Sequence, residues 1–409
     1  MTGTDNIQSQ DIVISFELLC LPFLAVSQKN GQKTLELKTR DGSIEVSVYY
    51  DYDVRPLVLS AKICVGDKVE IVLLDYRIEL YVNDKLEDEE WPNGVRLFSL
   101  ADSFSTENFI KVTEYIENKT ELPCVISTFE NGEGWCPGNG IFVGDCMPYR
   151  RADEYHVLYL KDRHHHKSKW GQGAHQWEHI STKDFKLWKV HPMAVELTKK
   201  EEGSICTGSW ICHDGKEYLY YTIRKGKGNP APICRSVSTD GYHFVKDESF
   251  SFVVSEKYDG VIARDPKVFK GEDGLYHMLL TTTLSKEKNG CLAHYVSSDM
   301  EHWEEALEPI YIVPNTDHPE CPDYFKYNGK YYLIFSLRGR ARYFVSDRPF
   351  DGFEAVTEEL IPCAGVPKCA EWDGRLVFTG FKPIDGYAGT MTFKAATAKE
   401  NGELVFEEL

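Results

Sequence analysis

Between residues 152 and 383 the apolar and polar positions fall into a pattern that recurs five times. The segments ADEYHVLYLKDR from Ala152, DGKEYLYYTIR from Asp214, DGLYHMLLTTT from Asp273, NGKYYLIFSLR from Asn328 and DGRLVFTGFK from Asp373 each pass from a polar turn into a run rich in Tyr, Leu, Ile, Phe and Thr. Four of the five open on Asp-Gly or Asn-Gly, the pairs that reach the positive φ angles of a two-residue hairpin turn. Each segment therefore reads as a hairpin entering a buried strand. A second element follows the first four copies: HQWEHISTKDFKLW, ICRSVSTDGYHF, LAHYVSSDMEHW and ARYFVSDRPFDGF, each a strand ending in Ser and Asp and then an aromatic. Units of four strands, repeating every 45 to 60 residues or so, predict propeller blades, and five copies predict five blades. A β-sandwich with coincidental turns would not require the same two-part pattern in the same order. Trp188, Trp303 and Phe353 recur after the Ser/Asp turn, which argues for core packing.

Residues before about 115 stand outside the repeat. Their centre, VEIVLLDYRIELYVNDKLEDEEWP, alternates apolar and polar positions around Asn83-Asp84, as a half-buried antiparallel strand pair does. The chain is accordingly read as all-β: a small β-sandwich over residues 1–115, a turn-rich linker over 116–140 and a five-bladed β-propeller over 141–409. The linker reading rests on Asn131-Gly132 and on Pro137-Gly138-Asn139-Gly140.

Composition narrows the function. A chain of 409 residues with 42% hydrophobic and 13% aromatic residues can bury a large core and a second, smaller one. The net charge of -18 repels phosphodiester backbones and anionic lipid, which excludes nucleic acid and membrane surfaces as expected partners. No basic segment followed by an apolar run opens the chain, and nowhere do 18 apolar residues follow one another, so a cytoplasmic protein is expected. Twelve scattered cysteines without a CxxC pair fit a reducing compartment and offer no zinc-site spacing.

The repeat also places carboxylates. Asp145, Asp265 and Glu320 each lie ten or eleven residues upstream of the aromatics Tyr155, Tyr276 and Tyr331. That is the innermost strand of three blades, so three carboxyl groups should point into one central funnel. Their settings, GDCMP, ARDPKVF and PECPDYF, are apolar or Pro-rich, and burying charge there is costly unless it is used. Three carboxylates around a narrow funnel suit glycosyl transfer: an ionised nucleophile, an acid kept protonated by its neighbours, and a third anion that holds sugar hydroxyls.

Arg264-Asp265-Pro266 and Glu320-Cys321-Pro322-Asp323 are similar to the RDP and ECPD motifs of glycoside hydrolase family 32, the β-fructofuranosidases, inulinases and levanases. Trp177-Glu178-His179-Ile180-Ser181 resembles the family's WGHAxS segment, and Thr207-Gly208-Ser209 its FSGS segment. The resemblance covers about residues 135–395. It implies that Asp145 is the nucleophile, Asp265 the transition-state stabiliser and Glu320 the general acid/base, with Arg264 orienting Asp265 or substrate. The first motif departs from the family: FVGDCMP stands for WMNDPNG, so Gly144 replaces an Asn that contacts sugar, and Leu160 replaces a Gln in the following strand. The family's β-sandwich follows its propeller, whereas the sandwich here precedes it.

The remaining candidates for substrate contact are Trp170, His175, Gln176, Trp177 and Ser209. Trp170 would offer a stacking platform on a loop with His164-His165-His166. Adjacent loop histidines seldom converge on one ion, so no metal and no cofactor is expected. Cys321 lacks a His/Asn arrangement and reads as a small buried filler. The leading function is therefore retaining hydrolysis of a β-fructofuranoside or related furanoside in a small carbohydrate. An inverting arabinan- or xylan-type hydrolase on the same propeller, and a sugar-binding propeller without turnover, are the alternatives. Neither the exact sugar nor the oligomeric state is encoded in these patterns.

Overall fold

The computed structural model describes residues 11–51, 55–90, 95–100, 102, 104, 110–116, 126–128, 135–137, 141–163, 175–199, 202, 204–224, 228–306, 308–363, 365–384 and 386–409. They divide into two compact units, one dominated by Met1–Thr120 and one holding nearly all of the rest. Among the described residues there is no α-helix, and no helix long and apolar enough to cross a membrane.

The first unit packs two antiparallel sheets on one core. The five-stranded sheet runs Lys85–Glu90, Ile78–Val82, Lys68–Leu73, Ile12–Glu17 and Lys111–Glu114 from edge to edge. The four-stranded sheet is a meander of Leu24–Lys29, Gln32–Arg40, Ser43–Val48 and Leu57–Lys62. Alternation places Ile12, Ile14, Leu37, Val46, Ile71 and Leu80 inward, all fully buried in one cluster. The Asn83-Asp84 pair makes the expected turn, with φ of 50° and 64°.

The second unit is the five-bladed propeller that the repeat predicts. Its inner strands are Ile141–Arg151, Ser209–His213, Arg264–Lys270, Glu320–Tyr327 and Lys368–Trp372. Each neighbours the next, and the fifth returns to the first, so the ring closes. A single bridge between Val143 and Gly389 joins the first blade to the fifth. Each inner strand pairs antiparallel with the next strand of its blade, through a two-residue turn in four blades and through Gly271–Leu275 in the third. Asp214-Gly215, Asn328-Gly329 and Asp373-Gly374 all carry positive φ at both residues, the geometry for which those pairs were selected. The Ser/Asp element caps the next turn: Ser238 Oγ accepts from Gly241 N, and Asp240 Oδ1 from Tyr242 and His243 N. Ser297 and Asp299 repeat this in the third blade. Trp188 is fully buried and stacks on Phe393.

The stretch 116–140, read above as a linker, holds a strand. Ile126–Thr128 pairs with Leu187–Val190 at the outer edge of the first blade. Trp135 bridges Met391 through both backbone bonds and is buried beside Tyr159. A three-residue edge strand is too short to leave a periodic signature; Asn131-Gly132 and Gly138-Asn139-Gly140 lie outside the described residues.

Candidate active site

Three inner strands carry a β-bulge near the start, and the bulges aim the site. The register slips between Val143 and Cys146, between Arg264 and Lys267, and between Glu320 and Asp323. A bulge leaves a residue out of the ladder and redirects its side chain. Asp265 and Cys321 occupy these slips at φ of 57° and 52°. Left-handed backbone costs a residue with a side chain of order 1–3 kcal/mol, and such strain collects at functional sites.

Asp145, Asp265 and Glu320 line one cavity of about 640 Å³. Asp145 is deeply held. Its Oδ1 accepts from Tyr387 Oη at 2.9 Å, while the same hydroxyl oxygen accepts from Asp145 N at 3.1 Å. Its Oδ2 accepts from Thr207 Oγ1 and from Cys321 Sγ, the thiol at 3.3 Å. Asp265 Oδ2 accepts from Cys321 N at 3.0 Å and lies 3.5 Å from Arg264 Nε. Arg264 Nη2 donates to Glu320 Oε1 at 2.7 Å, and its Nη1 is anchored on Ile262 O at 2.9 Å. One guanidinium thus spans two of the three acids.

Burial pushes the Asp145 carboxyl above the ordinary aspartate value, with the Asp265 charge adding to it; the Thr207, Tyr387 and Cys321 donors oppose the rise. Burial likewise raises Glu320, against the Arg264 cation and with the Asp265 and Asp145 charges. Glu320 has one strong donor where Asp145 has three. The arrangement can therefore present one carboxylate and one carboxylic acid to the same ligand.

Of the other expected contacts, His175 lines the cavity, bonded to Asp162 Oδ1 at 3.0 Å and stacked on Tyr387. Gln176 and Trp177 do not reach it. Gln176 is fully buried, its Oε1 accepting from Leu197 N. Trp177 is fully buried against Tyr221, its indole donating to Cys206 O. As consecutive strand residues they point to opposite faces of the sheet, and both faces are covered there. Ser209 is also structural: its Oγ donates to Pro266 O and accepts from Val268 N, both at 2.8 Å, lacing the second inner strand to the third. Trp170 and His164-His165-His166 lie outside the described residues.

Sequence reasoning missed Thr207, Tyr387 and Arg224. Thr207 stands in the same TGS triplet as Ser209, two positions away, and only the backbone geometry decides which hydroxyl meets Asp145. Tyr387 lies in a loop with no repeat signal. Arg224 ends a strand and lines the cavity.

The model of the glycosyl hydrolases family 32 N-terminal domain matches residues 147–354, just over half of the chain. The chain belongs to glycoside hydrolase family 32. Its relatives include the sucrose-6-phosphate hydrolase of Escherichia coli, 24% identical over 62% of this chain and 59% of that one. The sucrose-6-phosphate hydrolase of Bacillus subtilis is 31% identical over 45% and 40%. The chain thus spans about half the length of the curated relatives it matches. Among solved structures, fructan 1-exohydrolase IIa of Cichorium intybus in complex with 1-kestose superposes with a TM-score of 0.56, at 18% identity over 69% of this chain and 60% of that one. This likeness, and that to the Lactobacillus gasseri sucrose-6-phosphate hydrolase at TM-score 0.53 and 17% identity over 66% of this chain and 63% of that one, shows the shared fold. The family match opens at residue 147, two past Asp145, so Asp145 rests on its place in the cavity. The Gly144 departure has a steric reason in this family 32 chain. A Cβ at 144 would stand 2.5 Å from Tyr387 Oη, so the tyrosine takes the space in which a larger residue would lie.

Proposed function

We propose that the chain is a retaining glycoside hydrolase that cleaves a β-fructofuranoside, or a closely related furanoside, of small carbohydrates. The observation that carries this reading is the meeting of Asp145, Asp265 and Glu320, from three different blades, in one cavity of a family 32 chain. Asp145 attacks the anomeric carbon as the bond to the leaving oxygen breaks, and Glu320 gives that oxygen its proton. Water then surrenders a proton to Glu320, attacks the same carbon and frees Asp145. Asp265, steadied by Cys321 N and Arg264, grips ring hydroxyls and offsets the developing positive charge. His175 and Arg264 are the further substrate contacts of this reading, and neither step calls for a cofactor.

Arg224 and Arg340 also line the cavity, so a phosphorylated sugar such as sucrose 6-phosphate belongs beside sucrose and 1-kestose in the substrate panel. The test is hydrolysis of that panel, difructose anhydrides and arabinofuranosides, with the first anomer released read by NMR. Release of β-fructofuranose first is expected. Initial inversion, or cleavage of arabinofuranosides alone, would overturn the proposal in favour of the arabinan-type rival.

A further inference from the structure

The first blade holds a second cluster of chemically able side chains, outside the acid-lined cavity. His156 lies in the strand Glu154–Arg163, His179 in Gln176–Thr182, and His191 just after Leu187–Val190. One ring nitrogen from each lies within 4.8 Å of the other two. His156 and His179 are fully buried, while His191 is partly exposed.

The hydrogen bonds within this group are incomplete. His179 Nε2 is 2.9 Å from His156 Nδ1 and 3.0 Å from Tyr149 Oη. A ring nitrogen carries one in-plane lone pair or one hydrogen, so it cannot make two full bonds there. His156 Nε2 and His179 Nδ1 are buried with no hydrogen-bond partner among the described residues. Either tautomer therefore leaves buried ring nitrogens unsatisfied, a situation that native interiors avoid.

The third blade supplies an internal comparison. His277 and His294 sit on the same diagonal of the repeat, with Nδ1 and Nε2 again 2.9 Å apart. There, however, His277 Nε2 bonds Asp273 Oδ1 at 3.1 Å, and Ala306 occupies the position of His191, as the matching backbone bonds to His294 O and His179 O establish. The histidine pair alone is thus a packing device of the blade. In the first blade Ala152 stands where Asp273 caps the pair, and a third imidazole is added.

We propose that His156, His179 and His191 bind a divalent first-row transition ion of the zinc class, which clasps the outer part of the first blade. Imidazole suits such ions, and on a tetrahedral centre with bonds of about 2.0–2.1 Å the ligand nitrogens stand about 3.3–3.4 Å apart, within the reach of small ring rotations here. Burial holds the His156 ring down to about 3 and the His191 ring to about 4, so both are neutral in neutral solution. Coordination through His156 Nδ1 turns its Nε2–H toward Glu154 Oε2, now 3.7 Å away. That carboxylate, fixed by Ser181 and Lys189, orients the ring as outer carboxylates do for metal-bound histidines. The nearby Arg151 is neutralised by Glu217 at 2.6 Å. Water or the Tyr149 hydroxyl fills the fourth position.

The run His164-His165-His166 could itself scavenge metal, so the test separates the two. The full chain with His164→Ser, His165→Ser and His166→Ser is dialysed against Zn²⁺, its metal content measured, and Co²⁺ substituted to read d–d absorption. About one ion per chain, a visible cobalt spectrum and a raised melting temperature are expected in that background. His191→Ala, at a half-exposed position whose loss the fold should tolerate, should abolish all three with circular dichroism unchanged. Glu154→Gln should weaken affinity about tenfold or more. No bound ion in the loop variant, or binding indifferent to His191→Ala, would overturn the proposal.

Discussion

Glu320→Gln separates the two roles assigned to the carboxyl pair. The amide keeps the size of the side chain and an oxygen able to accept from Arg264 Nη2, now at 2.7 Å, so the buried guanidinium is not orphaned. What the amide lacks is a proton to give. For a natural fructoside the departing alkoxide needs one, and general acid assistance of this kind contributes about 10²–10⁴-fold, or roughly 2.7–5.4 kcal/mol of barrier. An aryl fructoside with a nitrophenolate leaving group needs none, and its first step should fall by less than about tenfold. The ratio of activated to natural kcat/KM should therefore rise by about 10²–10⁴ in Glu320→Gln. Asp145→Asn should leave that ratio near the wild-type value while both rates drop by about 10⁴ or more, because no covalent intermediate forms with either leaving group. Misfolded protein lowers both substrates alike and cancels from the ratio. Equal losses on both substrates in Glu320→Gln would refute the reasoning, and Glu320 would no longer stand as the general acid.

The pH profile of kcat/KM should be a bell, since Asp145 must be ionised and Glu320 protonated. Burial raises both, so rate is lost as pH falls through an Asp145 value above the ordinary aspartate 3.8 and as it rises through a Glu320 value above the ordinary 4.5; a profile flat between about pH 4 and 9 contradicts this. Tyr387→Phe removes a donor that favours the carboxylate form of Asp145, so the acid limb should move to higher pH while the alkaline limb stays. Gly144→Ala should push Tyr387 off Asp145 and cost activity, and in a Tyr387→Phe background the further loss should shrink, a non-additivity that a double-mutant cycle reads directly. Asp323→Asn should destabilise the propeller by about 3–5 kcal/mol in urea titrations, because Asp323 is buried and salt-bridged to Lys267 at 2.5 Å beside the buried Lys368.

The fold was legible because a propeller writes itself into the chain five times. Asp214-Gly215, Asn328-Gly329 and Asp373-Gly374 announce turns whose positive φ few other residues reach, and the Ser/Asp pairs announce the next bend. The sandwich was legible from strict alternation around Asn83-Asp84. The cavity was legible only in part. A repeat locates positions along inner strands, so Asp145, Asp265 and Glu320 could be placed together on one ring. It cannot say which way a side chain turns within a blade. Gln176 and Trp177 were assigned by proximity in the chain and lie in the core, and Ser209 laces two inner strands while its neighbour Thr207 meets Asp145. Tyr387 comes from an irregular loop 242 residues away from Asp145, and no local pattern announces such a contact.

The stagger of the three acids bears on how one ring of similar strands yields unlike carboxyl groups. Glu320 is still in the ladder, opposite Ser336, as Arg264 is opposite Thr281 and Val143 opposite Lys161. Asp145 and Asp265 instead fall inside their bulges, one or two residues further along. The shift moves them inward: the Asp265 side chain is 5% exposed and that of Glu320 39%. A residue in the bulge loses its ladder partners and meets donors from other blades, which is how Asp145 comes to hold Thr207 and Cys321 at once. A residue at the open end keeps contact with solvent, where an acid that must exchange its proton twice per turnover is best placed. On the proposed assignment, then, the split between nucleophile and acid/base follows from which side of a β-bulge each carboxyl occupies.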